Sequence, residues 1–197
     1  MQQIVFATQE DVPEMLALMN GATGAETPDD WYVTDDEEFV RRHIGGEMQA
    51  QDYRGHHAPE GYTLKYIIDG ELAAFLIVRY PGEAADNLGL ELLNIPIEVV
   101  AEGQELLYHV AHMESAAVHP AHRGKGLQGK LLAKAEEIEV FRGTGYLMAT
   151  VHPDNIYSLR NLEAAGYLCI RETEKYGGLR RKVMCKVLGT GALGVES

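Results

Sequence analysis

The stretch His109–Leu132, HVAHMESAAVHPAHRGKGLQGKLL, predicts a β-strand, a glycine-rich loop and an α-helix in direct succession. Its first part, 109–118, has the composition of a central strand. A strand that enters a helix through glycines gathers backbone N–H groups and the positive end of the helix dipole around one point, which attracts phosphate. After the loop, apolar residues recur at helical spacing, and they are Leu127, Leu131, Leu132, Ala135, Ile138 and Phe141.

Upstream of this stretch the chain predicts one strand and two helices. The run QIVFAT forms a short strand that leads into a helix beginning at Thr8, with Asp11 three residues further on. A second helix starts at Thr34, where Glu37 completes a capping box. The segment between them, residues 21–31, is interpreted as a loop.

Two hairpins and a further strand and helix complete the pattern. Asp69-Gly70 stands between two β-rich runs and indicates a tight hairpin. Residues 146–151, YLMATV, predict a strand, and 155–166, NIYSLRNLEAAG, a short helix that ends at its glycine. A second hairpin turns at Gly177-Gly178.

These elements predict an α/β fold with a mixed, largely antiparallel sheet flanked by helices. A chain of 197 residues suits one compact domain, which we place at residues 1–188. Within it, 81–107 is an irregular or partly helical insertion whose function the sequence does not reveal. We expect residues 189–197 to form a flexible tail.

The composition excludes several classes of partner. The chain has 30 acidic and 17 basic residues and a formal net charge of −13, which repels nucleic acids and anionic membrane surfaces but suits a cationic substrate such as an amine. Its longest apolar runs fall well below the ~20 residues of a membrane span. The N-terminus lacks the pattern of a signal peptide, and the two cysteines, Cys169 and Cys185, have no metal-binding spacing. We expect a cytoplasmic protein, and the sequence is compatible with a homodimer.

One interpretation of the loop is a nucleotide-binding P-loop. Residues Gly124–Lys130 spell G-x-x-x-x-G-K, but Leu131 stands where a Ser or Thr would hold Mg²⁺. The strand YLMATV also lacks the acidic residue that an ATPase or GTPase needs. The sequence therefore disfavours ATP or GTP as the ligand.

The second interpretation is carried by residues Arg123–Gln128, R-G-K-G-L-Q, which are preceded by VHPAHRG. They resemble the [Q/R]-x-x-G-x-[G/A] signature of the GCN5-related N-acetyltransferases. Gln128 departs from that pattern, since Gly or Ala is usual there, and we expect its side chain to point outward.

A second signature of the family agrees with the first. Asn155, Ser158, Gly166 and Tyr167 follow its N-x-x-[A/S] motif and the glycine and aromatic residue beyond it. The order of predicted elements also matches the family's fold across nearly the whole chain, except for 81–107. The run TVHPDNIYSLRNL with the later GY and KYGGLRR resembles a bacterial subgroup of the family.

The resemblance implies acetyl-CoA as the co-substrate and no metal. Backbone amides of Arg123–Gln128 would hold the pyrophosphate, the strand ending near Val118 would pair with the pantetheine arm, and Asn155 would bond that arm from the opposite strand. The cofactor-binding residues implied are Ala117, Val118, Arg123, Gly124, Lys125, Gly126, Leu127, Gln128, Gly129, Asn155 and Ser158.

Acetyl transfer to an amine needs a base near the acceptor. By alternation Val110, His112 and Glu114 share one strand face, and family members often carry a carboxylate there. Glu114 is our first candidate and His112 the second, while the alternative is that Glu114 is a structural carboxylate. A β-bulge in this strand would reverse the alternation and expose Ser115 instead.

The departing thiolate of CoA can receive a proton from a tyrosine. In the family this tyrosine follows the Asn by seven residues, where this chain has Leu162. Tyr157 and Tyr176 are the replacements available, although a thiolate can also leave without an acid.

Other candidate groups are weaker. A cluster of four histidines, His109, His112, His119 and His122, lacks a completing carboxylate or Cys, so we predict no metal site. Cys169 and Cys185 are interpreted as small core residues. Arg180 and Arg181 fit either a solvated turn or a phosphate contact. Aromatic residues of the early region can line an acceptor pocket or pack a loop, and they are Trp31, Tyr32 and Tyr53.

The sequence thus predicts an enzyme that acetylates an amine, most simply of a small molecule, by direct attack in a ternary complex. The alternatives are transfer to a protein Lys or N-terminus and a non-catalytic acyl-CoA sensor.

Overall fold

The computed structural model of the chain describes residues 1–22, 36–44, 60–92 and 109–188. Seven strands form one sheet: β1 (Gln2–Phe6), β2 (Gly61–Ile68), β3 (Glu71–Arg79), β4 (Val110–Val118), β5 (Tyr146–Val151), β6 (Leu168–Lys175) and β7 (Leu179–Val187). Their spatial order is β1-β2-β3-β4-β5-β7-β6. Only the β4–β5 pair of this sheet is parallel, so the predicted mixed and largely antiparallel sheet is confirmed.

Four α-helices within the described residues flank the sheet: α1 (Val12–Ala22), α2 (Glu37–Arg42), α3 (Leu127–Arg142) and α4 (Ile156–Ala164). Because β4 and β5 are parallel, the chain needs a crossover between them, and α3 provides it. The helix α3 ends at Gly143, whose φ of 81° gives the left-handed cap that the sequence predicted.

Both predicted hairpins are present. Asp69 and Gly70 join β2 to β3 with φ values of 52° and 94°, and two positive φ angles are the mark of a type I′ turn. The β6–β7 turn contains Tyr176, Gly177 and Gly178, all with positive φ.

The sheet is covered on both faces. Helices α3 and α4 pack on one face, where Leu131, Leu147 and Leu162 belong to the same buried cluster. On the other face, α1 and α2 cover the β1–β4 side around Phe75. A short 3-10 helix at Leu88–Glu91 packs on the same face over β4, β5 and β7.

This 3-10 helix belongs to the predicted insertion 81–107, of which the structure describes residues up to 92. The rest of the insertion and the predicted tail 189–197 lie outside the described residues. The domain limits therefore stay predictions.

The first two helices begin in different ways. Thr8 is the N-cap of a 3-10 turn at Gln9–Asp11, which leads directly into α1 at Val12. Its backbone N–H and hydroxyl donate to Asp11 at 2.6 and 3.0 Å, so the predicted capping residue is confirmed, although the α-helix itself begins later. The prediction for α2 was wrong, because Asp36 is its N-cap and accepts from the N–H of Phe39 at 2.7 Å. Thr34 lies outside the described residues. The predicted loop 21–31 was also placed too early, since α1 continues to Ala22.

The core face of α3 differs from the predicted pattern at its end. Phe141 is 73% exposed, whereas Glu139 is fully buried. Residue 139 follows Ala135 by four positions and therefore stays on the buried face, while residue 141 turns away from it.

We expect Leu131→Ala to lower the free energy of unfolding by about 2–5 kcal/mol, because Leu131 is fully buried between α3 and the sheet. Phe141→Ala on the same helix is the matched control and should cost less than about 1 kcal/mol. Urea denaturation of both variants checks this. Equal losses would contradict the packing described.

Candidate functional site

The parallel strands β4 and β5 separate part of the way along their length. Their ladder contains three pairs and ends at His112–Met148. Beyond that point β4 continues to Val118 paired with β3, and β5 continues to Val151 paired with β7. Within the described residues a gap therefore opens between the two strands, and both of its walls are strand edges. Backbone edges of this kind can bind a ligand that carries amide groups.

A β-bulge lies where this gap opens. Ser115 pairs with Ile77 of β3 and Met113 pairs with Val78, so Glu114 is the extra residue on β4. The predicted bulge is thus present. It reverses the alternation as predicted, since Met113 before it and Ala116 beyond it pack on the same core cluster. Glu114 itself still contacts His112 and stays on the same face of the sheet as that residue.

Glu114 is the centre of a charged network. Its Oε2 accepts from Nε of Arg79 at 2.9 Å and lies 3.4 Å from Nδ1 of His112. Arg79 also donates to Asp86 at 2.7 Å. Because Arg79 and His112 are directly paired across β3 and β4, the network is built on one rung of the sheet.

The hydrogen bonds of His112 define its tautomer. Its Nε2 accepts from the backbone N–H of Leu88 at 2.9 Å, so in the neutral ring Nδ1 carries the hydrogen. Nδ1 lies 3.4 Å from Oε2 of Glu114 and 3.1 Å from Nη2 of Arg79. Burial lowers the pKa of His112, although Glu114 raises it, and the ring stays neutral. A neutral ring with both nitrogens engaged is better suited to orient Glu114 than to accept a proton. The predicted role of His112 as a base stays untested.

Opposing effects act on the pKa of Glu114. Burial raises it, while the hydrogen bond with His112 and the charge of Arg79 lower it, and the resulting pKa is about 2. Glu114 is therefore a carboxylate throughout the physiological range.

The glycine loop lies next to this gap, between the end of β4 and the start of α3. Gly124 and Gly126 have φ values of 75° and 69°, which side chains rarely adopt, and Gly126 is the N-cap of α3. The helix begins at Leu127, so its first N–H groups point towards the loop. This is the geometry that the sequence predicted for phosphate binding.

Gln128 does not point outward as predicted. Its Nε2 donates to Oγ of Ser158 at 3.3 Å, and its Oε1 accepts from Nδ2 of Asn161 at 2.8 Å. The longer side chain is accommodated because α4 offers both partners. Asn155 caps α4 by accepting from the N–H of Ser158 at 3.2 Å.

The contacts of the loop helix argue against a P-loop. Nζ of Lys130 donates to the hydroxyl of Tyr66 at 3.3 Å, so this lysine packs towards β2 instead of the loop. Leu131 is fully buried in the core and cannot ligate Mg²⁺.

The candidate acids lie in different places. Leu162, at the position of the family's tyrosine, lies on the buried face of α4. Tyr157 is 72% exposed in the first turn of α4. Tyr176 lies in the β6–β7 turn, and its hydroxyl is 3.1 Å from that of Thr150 on β5. Arg181 is buried and lies with its guanidinium 5.7 Å from the centre of the Tyr176 ring.

Several other candidates can be placed. His119 and His122 have ring centres 5.8 Å apart, and no group of three or more potential metal ligands exists in 1–22, 36–44, 60–92 or 109–188. Cys185 is buried as predicted, but Cys169 is exposed on the edge strand β6. The predicted pocket aromatics at 31, 32 and 53 lie outside the described residues.

Sequence reasoning missed Glu139. Its carboxylate accepts from the hydroxyl of Tyr80 at 2.7 Å, also contacts the hydroxyl of Thr144, and lies 3.2 Å from Nη1 of Arg142. Burial raises its pKa to about 7. This group links the end of α3 to Tyr80, the residue that follows β3. The sequence signal for its burial was its position four residues after Ala135.

Comparisons with known proteins agree with this geometry. Residues 25–167 match the Acetyltransferase (GNAT) family, and the chain belongs to that family. The predicted fold and enzyme class, with acetyl-CoA as co-substrate, are confirmed. A sequence search among curated proteins finds no match. None of the helices in the described part of the chain is long and apolar enough to cross a membrane.

Solved structures show the same fold at low sequence identity. The ribosomal-protein-S18-alanine N-acetyltransferase from Escherichia coli has a TM-score of 0.64 at 15% identity, with 100% of each chain covered. The yncA protein from Salmonella typhimurium, solved with its cofactor acetyl-CoA, has a TM-score of 0.65 at 20% identity over 98% of this chain and 97% of that one. The aminoglycoside acetyltransferase AAC(6')-Ib, in complex with coenzyme A and kanamycin, has a TM-score of 0.63 at 14% identity over 95% of each chain.

We expect Gly124→Ala to weaken acetyl-CoA binding about tenfold, because Ala is strained at a φ of 75° and the loop must shift. The matched control is Gly143→Ala, which places the same strain at the other end of α3. Both variants should lose about 1–2 kcal/mol of stability. Only Gly124→Ala should raise the dissociation constant measured by calorimetry, and equal affinities would contradict the loop assignment.

Glu114 should also make stability depend on pH. Since folding lowers its pKa from 4.5 to about 2, its contacts stabilise the native state above pH 4.5, and this contribution is lost as the pH falls towards 2. The full contribution is on the order of 3 kcal/mol. Urea denaturation should show Glu114→Gln to be less stable than the unaltered chain at pH 7, and the difference in the free energy of unfolding should become smaller towards pH 3. A difference that does not change with pH would contradict this.

Proposed function

We propose that this chain transfers the acetyl group of acetyl-CoA to the amine of a small molecule by direct attack in a ternary complex. The observation that carries this proposal is the gap between β4 and β5, which opens at His112–Met148. It leads from the charged network at Glu114 towards the loop with Gly124 and Gly126. A thioester with an amide-bearing arm and a pyrophosphate suits such a combination of strand edges and loop N–H groups.

The cofactor is held mostly by main-chain groups in this proposal. The loop from Arg123 to Gly129 binds the pyrophosphate, and Ala117 and Val118 of β4 pair with the pantetheine arm. Asn155 and Ser158 contribute further contacts to the cofactor from the start of α4. The side chain of Gln128 holds that helix beside the loop through two hydrogen bonds. The side chain of Gln128 is directed to α4, so the phosphates approach its backbone N–H.

Glu114 receives the proton of the amine through a water molecule. The amine nitrogen attacks the thioester carbon, the C–N bond forms, the C–S bond breaks, and CoA leaves as its thiolate. Because the pKa of Glu114 is about 2, the carboxylate attracts the proton but does not retain it, and the proton passes to solvent. Leu88 and His112 act as positioning groups, since the N–H of Leu88 donates to His112, whose Nδ1 lies 3.4 Å from the carboxylate of Glu114.

A small amine fits the acidic chain, whose formal charge of −13 favours cations near its surface. Transfer to a protein Lys or N-terminus is the second candidate, since such a group is also a cationic amine. A panel of small amines, tested beside peptides with free N-termini and lysines, distinguishes the two. We further expect a cytoplasmic protein, and self-association in solution remains a prediction to be measured.

The pH dependence of kcat/KM tests the role of Glu114. Glu114 is ionised above about pH 2 and His112 is neutral, so the acidic limb should follow the ionisation of the substrate amine. With two substrates whose amine pKa values differ by about 2 units, the midpoint of the acidic limb should shift by about the same amount. A limb fixed near pH 6–7 for both amines would instead indicate a base that titrates in that range, which would exclude Glu114 as the base.

Calorimetric titration with acetyl-CoA, and separately with ATP and Mg²⁺, tests the proposal as a whole. We expect saturable binding of acetyl-CoA alone and release of CoA when a suitable amine is added. Binding without turnover across the whole panel would support a sensor module, and binding of ATP alone would contradict the proposal.

A further inference from the structure

Tyr176 has an unusual backbone conformation for its type. Its φ is 53°, and among the described residues only Asp69 is another non-glycine residue with positive φ. Left-handed geometry at a bulky residue is unfavourable and persists only where surrounding contacts maintain it. The contacts of Tyr176 therefore indicate what this conformation achieves.

Two contacts involve Tyr176 itself, which is 41% exposed. The hydroxyl lies 3.1 Å from Oγ1 of Thr150, and the guanidinium of Arg181 lies 5.7 Å from the ring centre. The neighbouring Lys175 forms an ion pair with Glu91 of the short 3-10 helix at 2.5 Å. The turn is thus tied both to β5 and to the described part of the insertion.

Thr150 places the hydroxyl of Tyr176 beside the gap. It lies two residues beyond Met148, where the β4–β5 ladder ends, so it belongs to the β5 wall of the gap. Glu114 stands on the opposite wall. The short 3-10 helix links the two walls, since the N–H of Leu88 donates to His112 and Glu91 pairs with Lys175, next to Tyr176.

We propose that Tyr176, held by Thr150, donates a hydrogen bond to the sulfur of CoA as the C–S bond breaks. This inference rests on the proposed acetyl transfer and adds a catalytic residue to it. Tyr176 would take the role of the tyrosine for which this chain has Leu162. Glu114 and Tyr176 would then act from opposite walls of one gap, the first on the amine and the second on the leaving group.

The chemistry is a hydrogen bond and not a complete proton transfer. Burial raises the pKa of Tyr176, although the Thr150 hydroxyl lowers it, so the phenol keeps its proton at neutral pH. A thiol has a pKa of about 8.5, below the ~10 of tyrosine, so the proton stays nearer to the phenol oxygen. The hydroxyl stabilises the charge that develops on sulfur, and the thiolate equilibrates with solvent after release.

The decisive variant is Tyr176→Phe, which keeps the ring against Arg181 and removes only the hydroxyl. Single-turnover rates are measured with acetyl-CoA and with its selenoester analogue, whose selenolate is a better leaving group. We expect the rate with acetyl-CoA to fall about 10- to 100-fold and the defect to shrink several-fold with the selenoester. The dissociation constant of acetyl-CoA should change less than about threefold.

The matched control is Tyr66→Phe, which removes the hydroxyl that donates to Gln2 at 2.8 Å at the other side of the sheet. Its single-turnover rate should equal that of the unaltered chain. If Tyr176→Phe folds poorly, Thr150→Val gives a second test, and a smaller defect with the same leaving-group dependence supports the proposal.

Several results would overturn it. A full rate in Tyr176→Phe, or a defect of equal size with both esters, would show that the hydroxyl does not act on sulfur, while leaving acetyl transfer intact. Failure of the unaltered chain to bind acetyl-CoA or to acetylate any amine would instead remove the proposed function, and this inference with it.

Discussion

The site depends on the unequal pairing of β4 with its two neighbours. The antiparallel partner β3 follows β4 to its end, but the parallel partner β5 pairs with only three of its residues. The bulge at Glu114 lies where β5 departs, and it keeps this carboxylate on the same face as His112. One strand therefore provides a wall of the gap, a fixed anion and the approach to the glycine loop.

The described part of the insertion holds both walls of the gap. At one end the backbone of Leu88 binds His112, which in turn orients Glu114. At the other end Glu91 binds Lys175, next to Tyr176, at 2.5 Å. Leu88 is itself buried against Val110 and Met148, so the short helix is fixed to the sheet by packing. A segment that the sequence left without a function thereby becomes the support of the proposed catalytic pair.

Much of the fold followed from local patterns. The strand, glycine loop and helix at 109–132, the Asp69-Gly70 turn and the glycine stop at Gly143 all rest on short-range conformational preferences, which the structure retains. Contacts between distant segments were the features that the sequence could not provide. The partners of Gln128 on α4 lie about thirty residues away, and the contact of Tyr176 with Thr150 depends on strand register. The position of Glu139, four residues after Ala135, indicated the buried face of α3. Its burial was still not predicted, because a carboxylate is not expected in a core.

The central claim is that acetyl-CoA lies in the gap between β4 and β5, with its sulfur between Glu114 and Tyr176. A crystal structure of the chain with CoA tests this most directly. The account predicts pyrophosphate on the N–H groups of Arg123–Gly129, the pantetheine arm along Ala117 and Val118, and sulfur within hydrogen-bonding distance of the Tyr176 hydroxyl. A cofactor bound outside the gap would contradict the account. A sulfur atom far from Tyr176 would contradict the role proposed for that residue.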